Sequence, residues 1–118
     1  MAIQVNFNVD QGSTFYAVAT IQNEDGSLFD LTGFTPYSQM RKSYYTKTAF
    51  EVLVSVENDD PASGNLRLTI PATVSNSMRA GRYVYDVEVH KDSDESVKRV
   101  MQGIITVSPQ VTKQIIQT

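Results

Sequence analysis

Along most of the chain apolar and polar residues alternate one by one, the period of a strand with one buried face. "IQVNFNV" (3–9) sets Ile3, Val5, Phe7 and Val9 against Gln4, Asn6 and Asn8. "FEVLVSVE" (50–57) sets Phe50, Val52, Val54 and Val56 against Glu51 and Ser55, and "NLRLTI" (65–70) sets Leu66, Leu68 and Ile70 against Arg67 and Thr69. In "AGRYVYDVEV" (80–89) Tyr83, Tyr85, Val87 and Val89 share one face, and Val84, Asp86 and Glu88 the other. "VKRVMQGIITV" (97–107) is its return strand, with Gly103 placed at a bulge. "TFYAVATI" (14–21) is apolar on both faces, the pattern of a central strand. "TPYSQMRKS" (35–43) puts Met40 inward and Arg41 outward, and Pro36 stands near its start, where a missing amide is tolerated. "SLFDLTG" (27–33) is a short extended piece.

Turn residues separate these runs. "NEDG" (23–26) signals a tight turn, "NDDPASG" (58–64) a polar loop and "HKDSDES" (90–96) a charged hairpin loop. "PATVSNSMRAG" (71–81) breaks the alternation and predicts one short helical turn with Val74 and Met78 on one side. Seven or eight short strands at this spacing predict an all-β, antiparallel sandwich. With no repeat, linker or low-complexity stretch, residues 1–118 are expected to form one domain. Residues 108–118 form a tail whose Val111, Ile115 and Ile116 are too apolar for a solvated end. It either packs on its own domain or reaches a neighbouring subunit or a shared sheet.

Composition removes several function classes. The chain has no cysteine, so neither disulfides nor thiolate metal sites are available. A net charge of −3 argues against nucleic acid as a partner, which calls for clustered Lys and Arg. No apolar run approaches the roughly 20 residues that cross a bilayer as a helix. The first residues, "MAIQVNFNVD", show neither the basic nor the apolar region of a secretion signal.

A single histidine limits catalysis. His90 could be drawn with Ser93 and Asp92 as a nucleophilic triad. Neighbours in one hairpin loop rarely hold that orientation, so His90 is expected to be a surface loop residue. Asp92, Asp94 and Glu95 offer oxygens to calcium, but without EF-hand spacing they suit a solvated acidic turn, as do Glu57 to Asp60. Asp30 and Glu51 make a glycosidase pair only on paper. No phosphate-binding glycine loop is present. The expectation is no enzyme, with no catalytic, cofactor-binding or metal-ligating residues. Tyr44 and Tyr45, in the cationic loop "RKSYYTKT", are candidate partner contacts, joined by Val111, Ile115 and Ile116. With Lys42 and Lys47 they suit stacking on a glycan; on the structural reading, one tyrosine packs on the sandwich end and the other is exposed. Tyr83, shortly after a glycine turn, resembles a tyrosine corner, whose hydroxyl ties back to upstream backbone.

The order of these pieces resembles the small immunoglobulin-like domain of tailed-bacteriophage virion proteins, over about residues 12 to 112. The matching pieces are Asp30-Leu31-Thr32-Gly33, a strand ending in Arg41, and Gly64 with Leu66 and Leu68. They continue with Gly81, Tyr83, Tyr85, Asp86 and Val87, and close with Gly103, Ile105, Val107, Pro109, Val111 and Thr112. The resemblance implies an immunoglobulin-like sandwich and a non-enzymatic assembly or adaptor component of a tail, baseplate or fibre junction. Its partners would be other virion proteins and copies of itself. Its location would be the virion, assembled in the host cytoplasm. A capsid decoration protein and a glycan-binding module are the alternatives.

Overall fold

In the computed structural model, residues 2–112 are described and form two β-sheets packed face to face. The strands are β1 (Ile3–Gln4), β2 (Phe7–Asp10), β3 (Phe15–Thr20), β4 (Phe34–Arg41), β5 (Phe50–Glu51), β6 (Leu53–Val56), β7 (Asn65–Ile70), β8 (Gly81–Lys91) and β9 (Val97–Ser108). One helix, α1 (Ala72–Ser77), lies between β7 and β8. The larger sheet runs β1-β9-β8-β4-β5, with β2 beside β9 in line with β1, and the smaller runs β3-β7-β6. In chain order these are strands A (β1 and β2), B, C, C′, D, E, F and G. The sheets are therefore A-G-F-C-C′ and B-E-D, the immunoglobulin-like arrangement.

The alternation seen in the sequence becomes burial. Along β8, Tyr83, Tyr85, Val87 and Val89 are buried while the residues between them are not. Leu66, Leu68 and Ile70 of β7 meet them from the opposite sheet, and Met40 of β4 and Val9 of β2 join the core from the larger sheet itself. Edge-on aromatic pairs pack towards the Gly81 end of β8: Phe7 against Phe15 at 5.3 Å, and Phe50 against Tyr83 at 5.9 Å between centroids. The tyrosine corner is present. The Tyr83 hydroxyl donates to the Arg79 carbonyl at 2.8 Å. Tyr85 donates to the Val5 carbonyl at 2.7 Å and ties strand A to strand F.

Several expectations change in detail. The 3–9 and 50–57 segments each divide into two short strands, and 27–33 contributes only a bridge from Leu28 to Gln22. β1 and β2 run parallel to β9. They are free to do so because the chain next crosses to the other sheet, so no hairpin imposes an antiparallel pair. β3 is an edge strand and not a central one. Its outward residues Tyr16 and Val18 are exposed, at 61% and 52%. The bulge lies at Val100, since Val87 pairs with Met101 and Glu88 with Arg99. Both Val100 and Met101 are buried, and only an extra residue lets neighbours in sequence point the same way. Gly103 serves close approach instead. A Cβ there would stand 1.9 Å from the Val5 carbonyl oxygen. The Asn6 side chain replaces a backbone acceptor beside it, taking the Ile104 amide at 3.0 Å.

Candidate functional site

The tyrosine loop connects β4 to β5. Arg41, the last residue of β4, turns its guanidinium onto that loop and donates to the carbonyls of Thr46 at 2.8 Å and Lys47 at 2.9 Å. A Ser43–Thr46 hydroxyl contact of 2.8 Å closes the turn between them. The loop is thus braced, and it presents both tyrosines outward, Tyr44 at 75% and Tyr45 at 94% exposure. Neither tyrosine packs on the sandwich end, because that place is taken. Phe50 stands edge-on to Tyr83 there, and the Lys42 ammonium lies over the Tyr83 ring, 4.7 Å from its centroid. Lys42 is therefore turned away from the two tyrosines. Val111 is 98% exposed just beyond β9. Ile115 and Ile116 lie outside the described residues.

Beside this loop, the outer face of the large sheet carries a polar surface that the sequence reading passed over. Tyr37, Gln39, Glu51, Asp86, Glu88 and His90 line an open groove of about 720 Å³, floored by Pro36, Ser38 and the β5–β6 crossover. Tyr37 stands edge-on to the His90 ring at 4.6 Å, and His90 Nε2 lies 3.4 Å from a Glu88 oxygen. A smaller hollow, lined by Tyr44, Gln39, Arg41, Asp86 and Glu88, links the face to the loop. Burial, seconded by the Glu88 charge, raises the Asp86 carboxyl above the usual range, although Arg99 approaches it at 3.4 Å. The signal for Tyr37 was available, since it alternates with Met40's inward register in "TPYSQMR".

The remaining candidates disperse. His90 belongs to strand β8, not to the loop, because β8 runs on to Lys91 and pairs His90 with Thr35. Asp92 accepts from the Thr35 hydroxyl at 2.7 Å, so the carboxylate of the supposed triad is held by another residue. Asp94 caps the Ser96 amide at 3.0 Å, and Asp30 does the same for Thr32 at 2.9 Å. The Thr32 and Ser96 hydroxyls, seconded by these amides, hold both carboxyls below the usual range. Glu57 pairs with Arg67 at 3.3 Å. Among the described residues no three His, Asp or Glu side chains converge as a metal site would require. Glu51 lines the groove and Asp30 does not, so the paper glycosidase pair is not assembled.

No family model matches the chain, and no curated protein matches it. Among solved structures it is similar to a family 123 glycoside hydrolase from Clostridium perfringens, studied for glycolipid glycan hydrolysis. The identity is 12% and the TM-score 0.42, over 92% of this chain. The chain spans 23% of that enzyme's length. A likeness at this level says nothing about what the present chain does.

Proposed function

We propose that the protein is a non-enzymatic virion structural component, an assembly or adaptor piece at a tail, baseplate or fibre junction of a tailed bacteriophage. The observation that carries this reading is the ordered set of motif residues and what each does in the fold. Asp30 and Thr32 build a capped turn that buries Leu31 and passes the chain through Gly33 at φ +81°. Gly64 sits at φ +72°, where a Cβ would press to 2.8 Å from the Ile21 carbonyl. Tyr83 makes the corner. The shared residues are fold-makers, and the exposed Tyr44–Tyr45 loop and polar groove are left for contacts. Rigid sandwiches that display loops and edges suit symmetric assemblies, in which copies bury them against neighbours. Its partners would then be other virion proteins and further copies of itself. Its place would be the virion, after assembly in the host cytoplasm.

The test is location. The protein, detected with an antibody raised against it, is sought in intact particles by electron microscopy. Density at the neck, baseplate or fibre junction is the expected result. Density over the head facets would make it a capsid decoration protein, and its absence from particles would overturn the reading.

A glycan-binding module is the second reading, and one observation favours it. Tyr37 and Tyr44 flank a groove furnished with Gln39, Asp86 and Glu88, an aromatic and polar mixture suited to sugar rings. A blank glycan array with a multivalent form of the protein would remove it.

A further inference from the structure

Four strand edges face outward among the described residues, and three of them are guarded. At the β5 edge pairing lasts two residues; on β4 beyond it, Pro36 has no amide to offer and the Ser38 carbonyl accepts the Val52 amide at 3.3 Å. On the strand A edge, pairing breaks at Val5 and Asn6, and the Val5 carbonyl accepts the Tyr85 hydroxyl. β6 is only four residues long. Short edges, prolines and interruptions are the usual protections against stray pairing. β3 has none of them. It is six residues long, and from Gly12 to Asn23 no side chain is charged and none is a proline.

The backbone register fixes which groups point outward. The Ile21 amide donates to the Gly64 carbonyl at 2.7 Å, which continues the β3–β7 register. In an antiparallel pair alternate residues point at the partner, so Phe15, Ala17, Ala19 and Ile21 face β7. Tyr16, Val18 and Thr20 turn their N–H and C=O groups to the other side, where β3 has no partner among the described strands. Burial is also unfinished here. The inward residues of β7 are fully covered, whereas Phe15, Ala17 and Ala19 are only half-buried. In a constant-type immunoglobulin sandwich an antiparallel strand A covers this edge; here strand A pairs with β9 instead.

We propose that the β3 edge is where two copies of this chain meet. β3 pairs antiparallel with β3 of the second copy across a two-fold axis at Val18, and the two small sheets become one. Three observations select a second copy as the occupant. The first is symmetry. The outward groups belong to Tyr16, Val18 and Thr20, so an axis at Val18 sets Val18 opposite its own copy and Tyr16 opposite Thr20. Each opposed pair then exchanges two backbone hydrogen bonds, and none of these outward groups is left over. The second is direction. The place that strand A vacates calls for an antiparallel strand, and a two-fold axis through the sheet supplies one. The third is charge. With residues 12–23 uncharged, nothing on the edge repels a copy of itself, whereas a charged strand would meet no counter-charge there. The same register sets Ala17 against Ala19 and Phe15 against Ile21 on the inner face, so each copy completes the cover of the other's half-buried row. On the outer face it brings the two exposed Val18 side chains together.

Pairing at β3 does not depend on the virion reading, and the protein's absence from particles would leave it standing. The test combines sedimentation with residue-resolved amide hydrogen exchange, on the full chain and on full-length Val18→Lys, which sets two like charges face to face at the axis. Concentrations run up to about 1 mM, enough to reveal a contact with a millimolar Kd. The full chain should reach the mass of two chains. In that form its Tyr16, Val18 and Thr20 amides should exchange at least about tenfold more slowly than in Val18→Lys, which should keep the mass of one chain throughout. The Ala17, Ala19 and Ile21 amides should stay slow in both proteins, which reports that the sandwich is intact. A full chain that keeps the mass of one chain at every concentration would overturn the proposal, whether the first set of amides is fast or is protected from within its own chain. So would a two-chain form in which that set stays fast, or one that survives Val18→Lys, since the contact would then lie elsewhere.

Discussion

Two tyrosines two positions apart do different work, and the difference can be measured. Tyr83 bonds four residues back along its own chain, so its role was legible from a glycine followed by an aromatic at the start of a strand. Tyr85 bonds a carbonyl 80 residues away, and no local pattern announces such a partner. Burial also lifts its hydroxyl far above the usual phenol range, so it stays a donor at any working pH. Tyr83→Phe and Tyr85→Phe should each cost about 1–2 kcal/mol in chemical unfolding, the effect of removing a hydrogen bond from a part-buried carbonyl. Only Tyr85→Phe should loosen residues 3–6 in hydrogen exchange. Asp86 has the opposite sign. Its folded pKa is raised above the unfolded value of about 3.9, so the ionised form is disfavoured by the fold at neutral pH. That penalty shrinks as pH falls through the folded value and vanishes below the unfolded one. Asp86→Asn should therefore melt above the parent at pH 7, with the gap closing towards pH 4. A gap that widened on acidification would contradict the assignment.

At the scale of elements, period and turn chemistry carried most of the architecture. The alternation in 50–57, 65–70 and 80–89 became strands with the expected faces inward, and the break at 71–81 became helix α1. What failed needed knowledge of neighbours. "TFYAVATI" resembles a central strand because both of its faces are apolar, but its outer face meets solvent and its open edge meets no described strand. Gly103 resembles a bulge glycine because only the crossing of Val5 reveals why a Cβ is excluded. The true bulge at Val100 had a local sign, the adjacent apolar pair Val100-Met101 in an otherwise alternating strand. The tyrosine loop was recognised from its composition, while the groove around Tyr37 is built across β4, β5 and β8 and was not. Gly103→Ala must push strand A outward. It should cost about 1–3 kcal/mol, in the range of overpacked sites, and release residues 3–6 to exchange while the Ala17 and Ala19 amides remain slow. A variant as stable as the parent would show that β1 can move aside freely.

At the scale of the whole molecule, the fold divides into residues that make the sandwich and residues left for encounters. On the proposed reading Tyr44 and Tyr45 belong to the second group: their rings are exposed, and Arg41 holds the loop through backbone carbonyls. Replacing both by alanine should change folding stability by less than about 0.5 kcal/mol, as for surface positions. The same pair of changes should lower incorporation of the protein into particles, read by immunoblot of purified virions against total lysate. Normal incorporation would move the contact elsewhere on the surface. The central claim is that this sandwich is a junction piece of a virion, and counting tests it most directly. Quantitative mass spectrometry of purified particles, referenced to a capsid protein of known copy number, should find the chain in low multiples of three or six per particle. Hundreds of copies, or none, would contradict the account.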